Sequence, residues 1–451
     1  LRSFSTLLVE RPGNAAVFLL YKIKIQWYDR RCQIVPGRQV RNTGKECLLL
    51  LLAIIYIAFI SLGLPDSLLG AAWPVMYEEL GVPISYAGIV TMIIAAGTIV
   101  SSLLSDWLMR KVGAGVITAV SVFMTAAALF GFSASHSFLL LCLWAVPYGL
   151  GAGAVDAALN NYVALHFSSR HMNWLHCFWS VGAAASPYIM SYCLTGGFGW
   201  NNGYRSVAVV QTILTAALFL SLPLWKRRRL EGAEGESAAK ALSLPRAVKI
   251  KGVPFVLIMF FGYCALEQAA GLWASSYLVQ FRGVDTDTAA WSASLFYLGI
   301  AAGRFLCGFV AERLGDRRLI RIGILTMIGG VLLIALPVPY DAFTLAGLLI
   351  VGLGCAPVYP SVIHSTPANF GKENSQAIIG IQMASAYVGT TFMPPLFGLI
   401  AAHIHIGLYP AFLLALALLM LCMSEKLNRT VAKRQEGEAR KETAEQEAEN
   451  A

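Results

Sequence analysis

Charged residues are scarce in this chain, at 13% of 451 residues, whereas soluble globular proteins carry about 25%. Hydrophobic residues make up 57%, and the mean hydropathy is +0.64. This balance excludes a soluble globular domain and indicates a polytopic membrane protein. The net charge of +9 does not indicate a nucleic-acid partner, because the basic residues fall at the ends of apolar stretches.

Metal-ligand and catalytic patterns are missing as well. The nine cysteines have no metal-ligand spacing, and most lie inside apolar stretches as small packing residues. No loop carries paired His and Asp residues or a Gly run that would cradle a phosphate, so a lipid-modifying membrane transferase lacks the residues it needs. We therefore predict no metal, no cofactor and no enzymatic activity.

Twelve apolar stretches are each long enough, at about 20 residues, to cross a bilayer as a helix. Loops after even-numbered stretches carry most of the Lys and Arg residues, which predicts a multi-pass protein of the cell (inner) membrane with both termini in the cytoplasm. The predicted spans are residues 47–73, 84–109, 113–133, 137–165, 172–195, 204–225, 254–280, 288–311, 318–337, 341–366, 374–401 and 405–424.

A charged segment that begins at Lys226 interrupts the apolar pattern near the middle of the chain and divides six spans from six. Residues 1–46 are basic and irregular, and we expect them to be poorly ordered on the cytoplasmic side. The predicted organisation is an N-terminal segment 1–46, a six-helix half 47–225, a cytoplasmic linker 226–253, a second six-helix half 254–424 and a charged cytoplasmic tail 425–451.

Acidic residues inside the spans are the most informative feature. Asp66 lies in the first span, and Glu267 lies 201 residues later in the seventh, each four residues before a glycine. A charged side chain at the centre of a bilayer costs at least about 2.5–3.5 kcal/mol, so such residues usually face a protein interior or a water-filled path. Two acids at matching places predict a polar site between two repeated halves.

The repeat shows at three further places. The stretch 102–106 matches 308–312, 149–151 matches 352–354, and 181–187 matches 388–394, with offsets that differ by only a few residues. Two six-span halves of the same direction are the repeat pattern of transporters whose substrate site lies near the midplane. The predicted fold is therefore all-α, with twelve transmembrane helices in two pseudo-symmetric six-helix halves.

The loop after the eighth span, which runs from Gly308 to Arg318, resembles the cytoplasmic loop signature of the major facilitator superfamily. Its copy after the second span has Ser102 for the first Gly and Trp107 for an Arg. In that superfamily these charges latch one conformation, although they could also merely end helices at the interface. The resemblance implies these gating residues: Asp106, Arg110, Lys111, Gly308, Glu312, Arg313 and Gly315.

Three stretches point to one branch of that superfamily. Residues 261–273 resemble the seventh span of the fucose/galactose/glucose–proton symporters, 149–163 resemble their fourth span, and 173–187 their fifth. The resemblance implies that Asp66 and Asp156 serve proton coupling and sugar binding. Asp156 stands where the fucose symporter pattern has Glu.

Residue spacing supports the same site, because Asn160 follows Asp156 by one helical turn and shares its face. Two other assignments stay open: Glu267 as a buried structural hydrogen bond, and Trp273 as part of the outer aromatic belt. Arg304 is expected to pair near the cytoplasmic end of its span. The predicted proton- and substrate-binding cavity comprises Asp66, Asp156, Glu267, Asn160, Gln268 and Trp273. For His176, His364 and Gln382, a helix-capping or interhelical hydrogen bond is expected rather than contact with substrate.

These features together predict a secondary active transporter that takes up a sugar or similar small polar solute with protons by alternating access. An efflux antiporter for amphipathic compounds on the same fold is the alternative, although the fifth span has only Ser186-Pro187 where such proteins usually have Gly-Pro. A sensor that does not transport is not excluded by the sequence. The expected partners are the solute, protons and the lipid bilayer, and the expected state is a monomer.

Overall fold

The structure is a computed structural model that describes residues 40–83, 86–232, 244–284, 286–338 and 341–449. Within these ranges every regular element is helical. A chain inside a bilayer has to satisfy its backbone polar groups within each segment, so long apolar stretches form helices. The predicted all-α fold is confirmed.

The first half is built from seven helices, of which the first two share one span. The break between them falls at Ser67, just after Pro65, where the proline ring cannot sustain a regular helix. The helices are α1 Val40–Asp66, α2 Leu68–Glu79, α3 Ala87–Val112, α4 Ala114–Ser133, α5 Phe138–His166, α6 Ser169–Thr195 and α7 Gly199–Gly232.

The second half follows a short helix, and its tenth span is broken near Pro357 in the same way. A π-helical turn, Ala401–His405, and a 3-10 turn, Ile406–Leu408, separate its last two long helices. The helices are α8 Leu244–Lys249, α9 Val253–Gln280, α10 Thr286–Leu314, α11 Asp316–Ala335, α12 Asp341–Cys355, α13 Val358–His364, α14 Thr366–Phe370, α15 Lys372–Ile400 and α16 Tyr409–Glu449.

Ten stretches of the described chain are long and apolar enough to cross a membrane. One of them, Lys372–Arg434, contains two helices, α15 and the apolar part of α16. Helix α6 has 27 residues, which is sufficient length, but its mixed polar composition keeps it outside the ten. The structure is thus consistent with the twelve predicted spans.

Several predicted boundaries shift by more than a turn. Helix α7 continues to Gly232, seven residues into the predicted linker, and α16 continues through the predicted tail to Glu449. Helix α1 begins at Val40, inside the segment expected to be irregular. Residues 1–39 and the centre of the predicted linker, 233–243, lie outside the described residues, so the predictions for them stay predictions.

The internal repeat is visible in how helices touch through glycine. A Cβ on Gly149 would clash with the carbonyl of Ile94, and a Cβ on Gly352 would clash with the carbonyl of Phe296. The two contacts are equivalent in the two halves, because the two glycines are 203 residues apart and Ile94 and Phe296 are 202 residues apart. Small residues at such places let helix backbones meet directly.

A second pair of glycine contacts joins the first span to the fifth in each half. Gly182 faces the carbonyl of Ile60 too closely for any Cβ, and Gly389 faces the carbonyl of Phe261. We call these four backbone contacts the glycine seams. They confirm the two pseudo-symmetric halves at the level of atoms rather than of hydropathy.

The two halves meet along matching helices. Helix α3 packs against α15, and α6 packs against α10, so the second and fifth spans of one half meet the eleventh and eighth of the other. Hydrogen bonds join the halves where the basic loops lie, for example from Arg110 to the carbonyl of Glu373 and from Arg170 to Glu312. We call this end of the helices the basic end.

Candidate functional site

Asp66 is the last residue of α1, at the break in the first span. The hydroxyl of Tyr148 donates to Oδ1 at 3.1 Å, and the indole N–H of Trp179 donates to Oδ2 at 3.1 Å. The adjacent Ser67 ties the break to α6 by donating to the carbonyl of Ala183 at 2.6 Å. Asp66 therefore has two neutral donors and is exposed.

Asp156 lies on α5 and is half-buried. The amide of Asn160 donates to its carboxylate at 2.7 Å, and the hydroxyls of Tyr359 and Tyr387 interact with the same group from the second half. The carbonyl of Asn160 lies 3.1 Å from Nε2 of His176, which fixes the amide in place. The predicted sharing of one helix face by Asp156 and Asn160 is confirmed.

Glu267 lies on α9 and is paired with an arginine. Oε1 of Glu267 is 3.4 Å from Nη2 of Arg304, and Nη1 of Arg304 donates to the hydroxyl of Ser180 at 3.0 Å. The guanidinium also lies over the ring of Trp179, 5.7 Å from its centre. Arg304 is only 3% exposed and thus joins the acid of the second half to α6 of the first.

These contacts bring the three membrane acids into one polar region between the halves. Trp179 is the connecting residue, because its N–H binds Asp66 and its ring carries the Arg304 guanidinium. Tyr387 interacts with Asp156 and lies within electrostatic range of Asp66. The region has three carboxylates and one guanidinium, so its acids outnumber its fixed cations.

The remaining two predicted cavity residues are less closely tied to the acids. Gln268 is exposed on the same helical face as Leu272. Trp273 uses its indole N–H to donate to the carbonyl of Pro394 at 3.0 Å and packs edge-on against Phe397. The indole N–H of Trp273 is therefore already engaged within the second half.

The first of the two loops predicted to act in gating lies at the basic end. Asp106 is buried and paired with Arg110 at 3.1 Å, and Arg110 also donates to the carbonyl of Glu373 in the other half. The Lys111 ammonium sits over the ring of Trp107, 4.8 Å from its centre. Trp107 at the position expected for arginine thus gives the loop a cation–π contact.

The second gating loop makes different contacts across the interface. Glu312 accepts from Ser168 at 2.7 Å and pairs with Arg170 at 2.8 Å, while Arg313 is exposed. A Cβ on Gly308 would clash with the ring of Trp174. Gly315 has φ of +75°, which allows the sharp turn into α11.

Sequence reasoning missed most of the neutral partners of the acids. Arg304 was expected near the cytoplasmic helix end, but it pairs with Glu267 and Ser180 instead, about eight residues from the Glu312 end of α10. A buried arginine in an apolar span is itself a signal of function, and it was available from the sequence. Trp179, Tyr148, Tyr359 and Tyr387 gave no such signal, because aromatic residues are common in membrane helices.

Three predicted interhelical hydrogen bonds are present. His176 bonds Asn160, His364 bonds Asp316, and Gln382 accepts from Thr366 at 3.1 Å. Across the described residues no group of His, Cys, Asp and Glu side chains is arranged to hold a metal ion.

Comparison with known proteins identifies the family. The model of the Major Facilitator Superfamily matches residues 55–290 and 256–449. The chain belongs to the Major Facilitator Superfamily. It is a multi-pass membrane protein of a family of transporters, and the predicted superfamily resemblance is confirmed.

Curated relatives of this superfamily member are distant but nearly full-length. The membrane protein MosC of Rhizobium meliloti is 26% identical over 410 residues, which cover 89% of this chain and 95% of MosC. The glucose/mannose transporter GlcP of Bacillus subtilis is 21% identical over 386 residues, covering 83% of this chain and 94% of GlcP.

Among solved structures, the superfamily transporter FucP in its outward conformation superposes with a TM-score of 0.64. It is 17% identical, and the match covers 84% of this chain and 98% of FucP. At this identity the likeness shows the shared fold. It supports the fucose permease-like resemblance drawn from the spans around Asp156 and Glu267.

Proposed function

We propose that this transporter takes up a small polar solute, a sugar or a chemically similar polyol, together with protons. The observation that carries the proposal is that Asp66 and Asp156 lie between the halves with only neutral hydrogen-bond donors. A carboxylate in such a place exchanges a proton more readily than one held by a fixed cation. The cavity proposed for solute and proton comprises Asp66, Asp156, Asn160, Glu267, Gln268 and Trp273.

The energetics of this coupling are sufficient for accumulation. One proton that crosses with a neutral solute moves one charge, which supplies about 2.3 kcal/mol per 100 mV. Because about 1.4 kcal/mol corresponds to a factor of ten, 100 mV supports about a fortyfold gradient. The aromatic rings and hydroxyls near Asp66 and Asp156 suit a polyol, which has an apolar face and polar edges.

Access to the site follows from the contacts at the basic end. We propose that this end is cytoplasmic, since basic loops stay inside, and that the structure is the state closed to the cytoplasm. The residues proposed to hold it closed are Asp106, Arg110, Lys111, Gly308, Glu312, Arg313 and Gly315. Labelling of a C-terminal reporter from outside intact cells would refute this orientation.

The two loops proposed to act in gating lie at the basic end, away from the proposed cavity. Substitutions in these loops therefore test the latch without removing a residue proposed to bind solute. Asp106→Asn and Glu312→Gln are each expected to shift the balance between the two access states and to leave solute binding intact. Distances between spin labels on the two halves measure that balance. Unchanged distances in both variants would show that these charges only end helices.

The function is tested by uptake into proteoliposomes that hold the purified protein. Labelled fucose, galactose and glucose are compared with a dicarboxylate and an amphipathic cation, with and without an imposed proton gradient. Gradient-driven accumulation of a sugar supports the proposal, and its loss with a protonophore identifies the proton as the coupling ion. Accumulation of the amphipathic cation in exchange for protons would instead establish an efflux antiporter, and transport of the dicarboxylate would replace the substrate class.

A further inference from the structure

A histidine at the basic end is held between the two halves by oxygen atoms. His364 is the last residue of α13. Its Nδ1 lies 2.6 Å from Oδ2 of Asp316, the first residue of α11. Its Nε2 lies 3.1 Å from the carbonyl oxygen of Phe167, which stands between α5 and α6 in the first half.

The proton count at this contact is fixed by chemistry. The carbonyl of Phe167 accepts only, so Nε2 has to carry a hydrogen. A neutral imidazole has one N–H, and Nδ1 would then be a bare acceptor facing a carboxylate oxygen. The contact is therefore complete only when one further proton sits between His364 and Asp316, on either partner.

Asp316 also contacts the first half directly. Its Oδ1 accepts from the hydroxyl of Ser169 at 2.6 Å, so the His364–Asp316 pair reaches the first half through two residues, Phe167 and Ser169. Loss of the shared proton would leave two acceptors 2.6 Å apart and weaken both contacts. The His364–Asp316 pair thus joins the two halves only while it holds this proton.

Among the described residues, no lysine or arginine pairs with Asp316, so no fixed cation takes the place of that proton. Asp316 is the charged group that faces the imidazole from α11, and the neighbouring Arg317 and Arg318 are exposed. From the first half, Arg170 of α6 is engaged by Glu312. The helices packed against α13 carry other titratable groups: His166 of α5 bonds the carbonyl of Tyr162, His171 of α6 bonds the hydroxyl of Tyr56, and Glu267 of α9 is paired with Arg304. Ser365 and Thr366, which follow the histidine in the chain, are uncharged.

We infer that His364 and Asp316 form a proton-binding site at the basic end, separate from the membrane acids, and that its proton holds the two halves together there. The inference rests on the alternating-access function proposed above. Histidine changes charge between about pH 5 and 8, so acidification on the basic side would favour the closed state and alkalinisation would release it. The solute site and the closure would then respond to protons on different sides of the membrane.

The experiment measures closure directly and does not need the solute. Spin labels at Val112→Cys and Arg318→Cys, on the two halves at the basic end, report their separation in nanodiscs made with the full chain. Both Asp66→Asn and Asp156→Asn are included, so that the membrane acids no longer titrate. In this background the closed-to-open ratio is expected to rise on going from pH 8 to pH 6, by at most about tenfold per pH unit, because one proton is linked.

Two variants decide the assignment. His364→Gln is expected to abolish the pH response, because glutamine keeps a donor and an acceptor but does not titrate. The matched control is His136→Gln, which replaces an exposed histidine in the loop before α5 and should leave the response unchanged. A pH response that survives in His364→Gln, or one that is absent before substitution, overturns the inference.

A spectroscopic measurement on the unsubstituted chain covers the case in which the variant does not fold. The ring nitrogens of ¹⁵N-labelled histidine are followed between pH 6 and pH 8, and the His364 signal is identified by its displacement in Asp316→Asn. A change at Nδ1 across this range supports the shared proton, whichever partner holds it. Constant ring-nitrogen signals refute it and leave the proposed solute transport untouched.

Discussion

Asp66 and Glu267 occupy matching places in the two halves, yet their surroundings have diverged. Asp66 accepts hydrogen bonds from Tyr148 and Trp179, whereas Glu267 is paired with the buried Arg304. The carboxylate of Asp66 is bonded to neutral donors, whereas that of Glu267 lies beside a permanent cation. The repeat therefore supplies two acids with different partners, of which Glu267 is joined to the other half through Arg304 and Ser180.

The largest effect is expected from separating the buried ion pair. Glu267→Leu leaves Arg304 charged and buried, which typically destabilises a protein by about 3–5 kcal/mol. The measurement is the unfolding temperature of the purified protein in detergent. Glu267→Leu combined with Arg304→Leu serves as the control and should recover most of the stability, and an equally unstable double variant would show that packing rather than charge is at stake.

Asp156→Asn tests whether an acid with neutral hydrogen-bond donors couples transport to protons. The variant should keep exchange of solute across the membrane but lose gradient-driven accumulation, a change of about fortyfold at 100 mV, because a neutral amide mimics the protonated acid. Counterflow and uphill uptake in the same proteoliposomes measure the two activities. Asp156→Glu is the matched control and should retain accumulation; full accumulation by Asp156→Asn would remove this residue from the coupling step.

Asp66→Asn should weaken solute binding by about tenfold, since a hydroxyl loses a charged acceptor worth roughly 1.4 kcal/mol or more. Isothermal titration with the transported sugar gives the Kd. Glu267→Gln should reduce binding less and keep part of the coupling, as expected for an acid whose main partner is Arg304. Equal losses in the two variants would contradict the division of roles.

The smallest effect concerns Trp179, which connects the two acids. Trp179→Phe removes the N–H bonded to Asp66 but keeps a ring near Arg304, so binding should weaken by only about threefold. Trp200→Phe is the matched control, because it removes an indole N–H that bonds Glu79, a residue outside the proposed cavity. The same change in Kd for both variants would show that Trp179 has no special position.

The sequence was most informative at charged residues, which are rare inside membrane-spanning helices. Asp66, Asp156 and Glu267 stand out because acids in apolar spans are costly, and the offset of 201 residues between Asp66 and Glu267 pointed to the repeat. The partners of these acids could not be predicted, since which tyrosine or tryptophan faces a given carboxylate depends on helix rotation and packing. Arg304 could be found in the sequence, but it was predicted to pair near the cytoplasmic end of its span. That prediction relied on its closeness to Gly308 in the sequence and gave too little weight to the apolar residues around it.

Helix ends were predicted less well than spans for a related reason. Hydropathy reports where a helix leaves the apolar layer, not where its hydrogen bonds stop, so α7 and α16 run on into polar sequence. The polar composition of α6 likewise lowers its hydropathy, although its glycine seam and its contacts with α10 place it among the spans.

The glycine seams have a mechanical consequence. Where Gly149 meets Ile94 and Gly352 meets Phe296, backbone rests on backbone with no side chain to change rotamer, so the joint has little compliance. The contacts between the halves are built instead from side chains such as Arg170 and Glu312, which exchange partners at small cost. Each half is therefore stiff, while the contact between the halves is easily rearranged. A movement that begins at one carboxylate then displaces the far end of the same half, because the half does not bend in between.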